Sequence, residues 1–186
     1  MDFVRNAIEF ALFETAIGRC GIAWGSEGIV AVQLPEPRDA DTRARVLRRC
    51  PEAREAVPPP VVAKVVDGIT ALLRGESVDL TSAPLDMDGV APFPRRVYEI
   101  ARTIRPGATL TYGDVAARLG DPGSARAVGR ALGDNPFPIL VPCHRVLAAG
   151  GKAGGFSGSG GVATKLRMLA IEGAQRSLPL EGLPPR

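Results

Sequence analysis

Several residue types are scarce in this sequence, and each shortage excludes a class of protein. Three cysteines and one histidine in 186 residues, without C-x-x-C or ligand spacing, exclude a disulfide scaffold and argue against a metal site. No apolar run reaches the roughly 18 residues of a membrane helix. The start, Met1 to Arg5, lacks the basic region of a signal peptide. We therefore expect a soluble, cytoplasmic protein that uses no metal and no cofactor and has no contact with a membrane.

Lysine is also scarce, because only three of the 23 basic residues are lysines and the other 20 are arginines. Residues 1–90 carry 10 basic and 14 acidic side chains (−4), and residues 91–186 carry 13 and 6 (+7), which together give +3. An Arg-rich, basic second half suits bidentate contacts to phosphates and bases and predicts a nucleic acid partner. A general preference for Arg over Lys is the alternative explanation for the arginines alone.

The first half alternates β-rich and helical patterns. The turn-forming residues 25–28 separate two apolar runs, which predicts a hairpin. The patterns predict a hairpin of Cys20 to Trp24 with Ile29 to Leu34, and helices at Asp39 to Cys50 and Val61 to Leu73. Residues 78–92 are predicted to be a loop or a short strand. We place a domain boundary near 88–92.

The second half is mostly helical and contains a candidate helix-turn-helix. The predicted helices are Phe93 to Ile104, a Thr111-capped helix ending at Leu119, and Ala125 to Leu132, capped by Ser124. The turn Gly120 to Gly123 joins the last two, and the final helix carries Arg126 and Arg130. The pattern fits either a DNA-binding helix-turn-helix or two helices packed in a core.

The most informative segment runs from Asn135 to Val146. A buried β run, Ile139 to Val141, is expected to deliver Cys143 beside His144, the only histidine. A thiol with the ordinary pKa of about 8.5 is mostly protonated at neutral pH and needs a base or cations to react. A lone Cys or His is more often structural, but their adjacency favours a reactive Cys143.

Chain geometry limits how these two side chains can cooperate. Neighbours in an extended chain point to opposite faces, so we expect a water to bridge the Cys143 thiol and the His144 imidazole. The imidazole needs an orienting group, and Glu172 is the only acidic residue between Cys143 and Gly173. Glu172 lies in a predicted apolar helix, Ala163 to Gly173, and a solvated end of that helix is the alternative. The glycine-rich residues 150–161 lack a phosphate-loop lysine and predict a substrate loop rather than a nucleotide site.

The run Pro142-Cys143-His144-Arg145-Val146, with Asn135-Pro136 and residues 126–129 before it, resembles the O6-alkylguanine-DNA alkyltransferases. These are the methylated-DNA–protein-cysteine methyltransferases of direct DNA repair. The resemblance covers about Phe93 to Gly173 and is weak in the first ninety residues. It implies an α+β fold: a small N-terminal α/β, ribonuclease H-like domain with an antiparallel sheet (1–90), a mostly helical winged helix-turn-helix domain (91–178) and a tail (179–186).

The resemblance also implies an activity and a set of roles. Family members flip the damaged guanine out of the duplex and move its O6-alkyl group irreversibly onto the cysteine, once per molecule, with O4-alkylthymine as an alternative substrate. The implied catalytic roles are Cys143 as acceptor, His144 as the base acting through water, Glu172 as its orienting group, Asn135 as the hinge, and Tyr112 as the aid to nucleotide rotation and guanine protonation. Arg126 is the implied finger in the base stack, and the other implied DNA contacts are Ser124, Ala125, Ala127, Gly129 and Arg130. The Val146 carbonyl, Ser157 and Phe156 would line the guanine pocket. The expected partner is alkylated double-stranded DNA, bound in the minor groove by a monomer, with cooperative binding left open.

Two departures from the family pattern concern that pocket. Phe156 stands where many relatives have tyrosine, so a hydroxyl is missing, and the loop from Phe156 to Gly161 is longer than the usual pattern. Either Ser157 or Ser159 could therefore contact the base, and we choose Ser157. The size of the accepted alkyl group stays open. Cys20 and Cys50 are expected to be buried and inert.

Three other functions were weighed against alkyl transfer. A relative that recognises lesions without transferring anything would lack the cysteine, which is present here as Cys143. A cysteine hydrolase using Cys143, His144 and Glu172 would turn over repeatedly, and the Cys-His adjacency and the basic half count against it. A plain DNA-binding regulator does not explain why the only histidine flanks a cysteine.

Overall fold

The computed structural model describes residues 7–174, and the structural statements below concern that range. A four-stranded sheet has the order β3-β2-β1-β4. Strands β1 to β3 are antiparallel neighbours and β4 pairs parallel with β1. The strands are β1 (Glu9–Thr15), β2 (Gly18–Trp24), β3 (Ile29–Gln33) and β4 (Arg54–Glu55). The predicted hairpin is confirmed as β2 and β3. Strand β1 was not predicted, because its apolar residues are contiguous rather than alternating.

Two helices, α1 (Asp39–Arg49) and α2 (Pro60–Leu73), pack on this sheet and confirm the two helical predictions of the first half. Successive strand residues point to opposite faces. Phe10 and Ala23 therefore join Val46 of α1, whereas Ile22 and Trp24 share a core with α2. Gly21 allows α1 to lie close, since a Cβ there would stand 2.6 Å from Val46 Cγ2.

The second half contains four helices and a two-stranded parallel pair. These elements are α3 (Pro92–Arg102), β5 (Leu110–Thr111), α4 (Tyr112–Arg118), α5 (Ala125–Gly133), β6 (Val146–Leu147) and α6 (Gly161–Ile171). Three short 3-10 turns lie at Pro122–Ser124, Cys143–Arg145 and Ala149–Gly151. One hydrophobic core joins both halves of the chain and includes Ile22, Val97 and Met168. The division into two domains stays a prediction, and the predicted tail, residues 179–186, lies outside the described residues.

The helix-turn-helix pattern is present as α4, a short turn and α5, but only one of its two predicted caps is correct. Thr111 and Asp114 form a capping box at the start of α4: each side chain accepts a hydrogen bond from the backbone N–H of the other residue. Ser124 stands at the N-cap of α5, yet its hydroxyl donates to the Asp121 carbonyl (2.7 Å) instead of accepting from the helix. The reason is local: the 3-10 turn gives Ser124 φ −85° and ψ 10°, whereas a capping side chain needs an extended backbone.

The predicted β run from Ile139 to Val141 is wrong in conformation, although all three residues are buried. Ile139 has φ +74°, the left-handed region that a β-branched residue rarely occupies, and the chain turns back so that the Val141 amide donates to the Phe137 carbonyl (2.8 Å). The extended chain expected at Cys143 and His144 is also wrong, because Cys143–Arg145 is a 3-10 turn. Within residues 7–174, no helix is long and apolar enough to span a bilayer.

Candidate active site and nucleic-acid interface

Asn135 ties the end of α5 to the segment that carries Cys143. Its Nδ2 donates to the Val141 carbonyl (2.9 Å) and its Oδ1 accepts from the Phe137 amide (2.9 Å). The side chain is buried and also reaches the Cys143 sulfur. A buried amide with this many partners holds the turn in one conformation, because releasing it would leave several polar groups unpaired. The hinge role expected for Asn135 stays a prediction.

Cys143 is half-buried, with its sulfur among hydrogen-bond donors and apolar side chains. Burial raises the pKa of the thiol. Other groups lower the thiol pKa but do not cancel the effect of burial. They are the hydrogen bond from Asn135, the charge of Lys165 and the backbone N–H groups of Cys143 and His144. The thiol is therefore protonated at neutral pH, and a base must remove its proton before it can act as a nucleophile.

His144, which follows Cys143 in the chain, forms a buried cluster with Glu172 and Arg145. His144 Nε2 lies 2.9 Å from Glu172 Oε1, and Arg145 donates from Nε (2.9 Å) and NH2 (2.8 Å) to the two oxygens of the same carboxylate. A third Arg145 nitrogen, NH1, donates to the Ile104 carbonyl. The Glu172 side chain is only 3% exposed, so the solvated helix end considered for it is wrong. The helix of residues 161–171 delivers Glu172 at its C-cap.

The electrostatics of this cluster define the protonation state of the imidazole. Burial raises the pKa of Glu172, but hydrogen bonds from His144 and Arg145 and their charges outweigh it and leave a pKa of about 2. Burial lowers the pKa of His144 below 6.5 despite the neighbouring carboxylate. At neutral pH, an ionised Glu172 therefore accepts from Nε2–H of a neutral imidazole, and the lone pair is on Nδ1. This Nδ1 is buried and has no hydrogen-bond partner among the described residues.

Lys165 is a site residue that the sequence reasoning missed. It lies in α6, is fully buried, and donates from Nζ to the Val146 carbonyl (2.6 Å). Its Nζ also lies 5.8 Å from the centre of the Tyr112 ring. Burial lowers the pKa of Lys165 to about 8, although the nearby Cys143 opposes this. The available signal was a lysine in a mostly apolar helix whose only other charged residue is Arg167, since lysines are almost never fully buried without a partner.

Two cavities meet at Cys143. The Tyr112 cavity, about 420 Å³, lies between α4, α5 and the glycine-rich loop. The Arg49 cavity, about 240 Å³, lies between that loop, β3 and α1. Both are bordered by Cys143, Phe156 and Ser157. Gly154 lets the loop approach the first cavity closely: it has φ +66°, and a Cβ there would stand 3.3 Å from the Tyr112 hydroxyl.

The predicted pocket residues occupy different positions around these cavities. Tyr112, Phe156 and Ser157 line the Tyr112 cavity together with Cys143, and the Ser157 hydroxyl donates to the Gly133 carbonyl (2.7 Å). Ser159 lines only the Arg49 cavity and donates to Glu36 (2.7 Å). Val146 is fully buried and lines neither cavity, and its carbonyl accepts from Lys165.

The predicted DNA-contacting residues lie on or next to α5. Arg126 and Arg130 are exposed, and Gly129 borders the Tyr112 cavity, where a Cβ would be 4.0 Å from the Tyr112 ring. The remaining three are half-buried: Ser124, Ala125 and Ala127. The helix thus presents two cations to solvent and a small residue to the cavity wall. This combination permits close approach of a polyanion to the mouth of the cavity.

Comparison with known proteins gives one consistent result. Residues 92–174 match the family model described as 6-O-methylguanine DNA methyltransferase, DNA binding domain. The methylated-DNA–protein-cysteine methyltransferase of Methanothermobacter thermautotrophicus is 39% identical over 153 residues, which cover 82% of this chain and 78% of that relative. A DNA base-flipping protein of Thermus thermophilus is 42% identical over 126 residues, 68% of this chain and 80% of its own.

Solved structures agree with these sequence matches. The crystal structure of Mycobacterium tuberculosis OGT in complex with DNA superposes with a TM-score of 0.72 at 30% identity, covering 92% of this chain and 96% of that one. The O6-methylguanine-DNA methyltransferase of Pyrococcus kodakaraensis gives 0.69 at 28% identity, covering 89% and 99%. The expected α+β fold class is thereby confirmed, and the ribonuclease H-like label stays a prediction. The fold and site are those of a DNA alkyltransferase. This chain belongs to the methylated-DNA–protein-cysteine methyltransferase family.

Proposed function

We propose that this chain repairs double-stranded DNA directly, by moving the alkyl group of an O6-alkylguanine irreversibly onto the sulfur of Cys143. The observation that carries this proposal is the position of Cys143 on the wall of the Tyr112 cavity, followed in the chain by His144, whose Nε2 is bound to a buried carboxylate. Such a cavity can receive a flipped base, and such an imidazole can act as a base. The protein acts as a monomer.

His144 activates the thiol through a water molecule. Because Glu172 accepts from Nε2–H, the basic nitrogen is Nδ1, and its lack of a protein partner leaves it available to the water. The water takes the thiol proton and passes one to Nδ1, and Glu172 stabilises the resulting imidazolium. Arg145 keeps Glu172 ionised and directed at the ring by binding both of its oxygens.

The transfer itself is a displacement at carbon. The Cys143 thiolate forms a sulfur–carbon bond while the carbon–O6 bond breaks, and guanine leaves with the electron pair and takes up a proton, assisted by the Tyr112 hydroxyl. The charge of Lys165 and the hydrogen bond from Asn135 favour the thiolate. The product is a thioether, which nothing in the site can hydrolyse, so each molecule acts once.

DNA is engaged through α4 and α5. Arg126 enters the base stack in place of the flipped nucleotide, and Arg130, with Ser124, Ala125 and Ala127, contacts the duplex as α5 lies in the minor groove. Gly129 leaves room beside Tyr112 for the rotating nucleotide. Within the pocket, Ser157 and the Val146 carbonyl hold guanine. Ser157 is the better choice because Ser159 lies in the other cavity, bound to Glu36.

Single-turnover labelling tests this proposal. The protein is incubated with a duplex that contains O6-methylguanine, and the peptides are then analysed by mass spectrometry. We expect a gain of about 14 Da on the peptide holding Cys143, one label per molecule, because a methyl group replaces the thiol proton. Cys143→Ser should abolish transfer and retain duplex binding, whereas the control Cys50→Ser should transfer normally. Repeated turnover, or label on another side chain, would contradict the proposal.

A further inference from the structure

Residues 157–159 of the glycine-rich loop bridge the two halves of the chain. The Ser157 hydroxyl donates to the Gly133 carbonyl at the end of α5 (2.7 Å), and the Ser159 hydroxyl donates to Glu36 Oε2 (2.7 Å). Glu36 lies in the connection between β3 and α1, 123 residues from Ser159 along the chain. The loop is therefore fastened to the second half of the chain by one serine and to the first half by the other.

Glu36 is held in place by α1. Its side chain is only 12% exposed. The backbone N–H of Glu36 donates to the hydroxyl of Thr42 (2.9 Å), which is fully buried. Arg45 Nε lies 2.9 Å from Glu36 Oε1 and forms an ion pair with it, although the angle is not that of a hydrogen bond. The carboxylate is thus oriented by the first half of the chain, independently of the loop.

The residue between the two serines packs directly against the first half. A Cβ on Gly158 would stand 2.7 Å from Leu34 Cδ1 and 2.5 Å from Phe156 Cε1, so a larger residue would force the neighbouring side chains to shift. Phe156 and Ser157, which precede Gly158, line the Tyr112 cavity. Holding the loop against the first half therefore fixes this part of the cavity wall.

Ser159 is also connected to the start of α6. The Thr164 hydroxyl donates to the Ser159 carbonyl (2.6 Å), and Gly160, at the N-cap, has φ +77°. Farther along, α6 carries the buried Lys165 and ends at Glu172. The loop and the helix that supplies two groups of the site therefore share one anchored end.

We propose that Glu36 is a positioning residue for alkyl transfer: by accepting from Ser159, it keeps the glycine-rich loop on the first half of the chain with the cavity wall formed. This inference rests on the proposed function. Glu36 lines neither cavity, so it acts only through the loop. Seven of the 12 residues 150–161 are glycine, and such a segment gains much conformational entropy when released. Without the contact, a smaller fraction of molecules is competent, and the transfer rate falls in proportion.

A double-mutant cycle tests whether Glu36 acts through Ser159. Single-turnover methyl transfer is measured with a saturating duplex that contains O6-methylguanine. Glu36→Ala and Ser159→Ala should each slow transfer about threefold to tenfold, because each removes the same hydrogen bond. The double variant should be no slower than either single variant. Glu36→Gln keeps an acceptor oxygen and should recover most of the rate. A carboxylate needed only for folding of the first half would instead give losses that add.

Trypsin cleavage in the absence of DNA tests the state of the loop itself. Lys152 is exposed and is the only lysine or arginine in residues 150–161, so cleavage after it reports opening of the loop. Its initial rate, followed by mass spectrometry, should rise about threefold to tenfold in Glu36→Ala and in Ser159→Ala. Glu52→Ala is the matched control, since Glu52 is an exposed acid of the first half with no ion pair or side-chain hydrogen bond to any of residues 7–174. It should equal the unaltered protein in both measurements.

The outcomes separate the positioning role from the proposed function. Additive losses of transfer, or unchanged cleavage after Lys152, would overturn the role of Glu36 while methyl transfer stands. If Glu36→Ala fails to fold, Ser159→Ala and Glu36→Gln provide the same comparison. Absence of methyl transfer to Cys143 in the unaltered protein would refute the proposed function, and the cleavage rates would still decide whether Glu36 holds the loop.

Discussion

Lys165 is fully buried, which is rare for a lysine. Its ammonium is buried within α6, bound to the Val146 carbonyl and close to the Cys143 sulfur. Burial lowers its pKa to about 8, so at neutral pH most of its charge is kept, and that charge favours the thiolate. Retaining a cation there costs stability, which indicates a use in the site rather than in packing.

Replacement of Lys165 tests this use. Lys165→Met should raise the pKa of the Cys143 thiol and slow its alkylation by iodoacetamide at pH 7 by about threefold to tenfold, because the nearby positive charge is lost. The rate is measured as a function of pH to obtain the apparent thiol pKa. Lys152→Met, which changes an exposed lysine in the glycine-rich loop, is the control and should leave that pKa unchanged. An unaltered thiol pKa in Lys165→Met would show that the lysine acts only in packing.

At the scale of elements, α5 and the turn after it connect an exposed basic helix face to the segment that carries Cys143. The exposed face of α5 carries Arg126 and Arg130, and Asn135 immediately beyond it holds Val141 and Phe137 in place. Ile139 keeps its left-handed φ between these contacts, which costs on the order of 1–3 kcal/mol. Asn135 therefore couples the position of α5 to that of Cys143 through one turn.

The two arginines of α5 should differ in what they do. Arg126→Ala should reduce base flipping, followed by the fluorescence of 2-aminopurine placed beside the lesion, more than it reduces duplex affinity, because the finger fills the emptied stack. Arg130→Ala is the matched control on the same exposed face and should weaken binding to all duplexes. It should also reduce the salt dependence of duplex affinity by about one released counterion. Equal losses of flipping and of affinity in Arg126→Ala would remove its role as the finger.

At the scale of the whole molecule, stability should depend on acid through the buried cluster. Glu172 has a pKa of about 2 when folded against 4.5 as a free side chain, so its stabilisation is present above pH 4.5 and is lost as pH falls towards 2. The pKa of His144 is also lowered on folding, so protonation of the unfolded chain begins to favour unfolding below about pH 6.5. Both effects have the same sign.

Urea unfolding at several pH values tests this linkage. We expect the free energy of unfolding to fall between pH 7 and pH 3, with about 1–3 kcal/mol of the loss arising from Glu172. Glu172→Gln should be less stable at pH 7 and should lose less stability on acidification, since it has no carboxylate to protonate. Glu99→Gln, at an exposed position in α3, is the control and should follow the unaltered protein. Parallel pH profiles for Glu172→Gln and the unaltered protein would contradict the linkage.

The sequence by itself determined the features that depend on near neighbours along the chain. Helical periodicity, the Thr111 cap and the turn residues 25–28 predict α1 to α5 and the β2–β3 hairpin, because these signals act over a few residues. The segment from Asn135 to Val146 predicted a reactive cysteine and, by its resemblance, identified the family. Glu172 was found as the only nearby acid in the sequence, but its burial and its two partners could not be deduced from spacing.

Only the tertiary structure decided the remainder. The turn at Ile139 differs from the expected strand because the Asn135 amide supplies the hydrogen bonds that a sheet would have given, in a segment interrupted by Pro136 and Pro138. The position of Lys165 and the Arg49 cavity depend on contacts between distant parts of the chain. Local residue preferences carry no information about such contacts, because burial and electrostatic environment arise only when separate elements pack together.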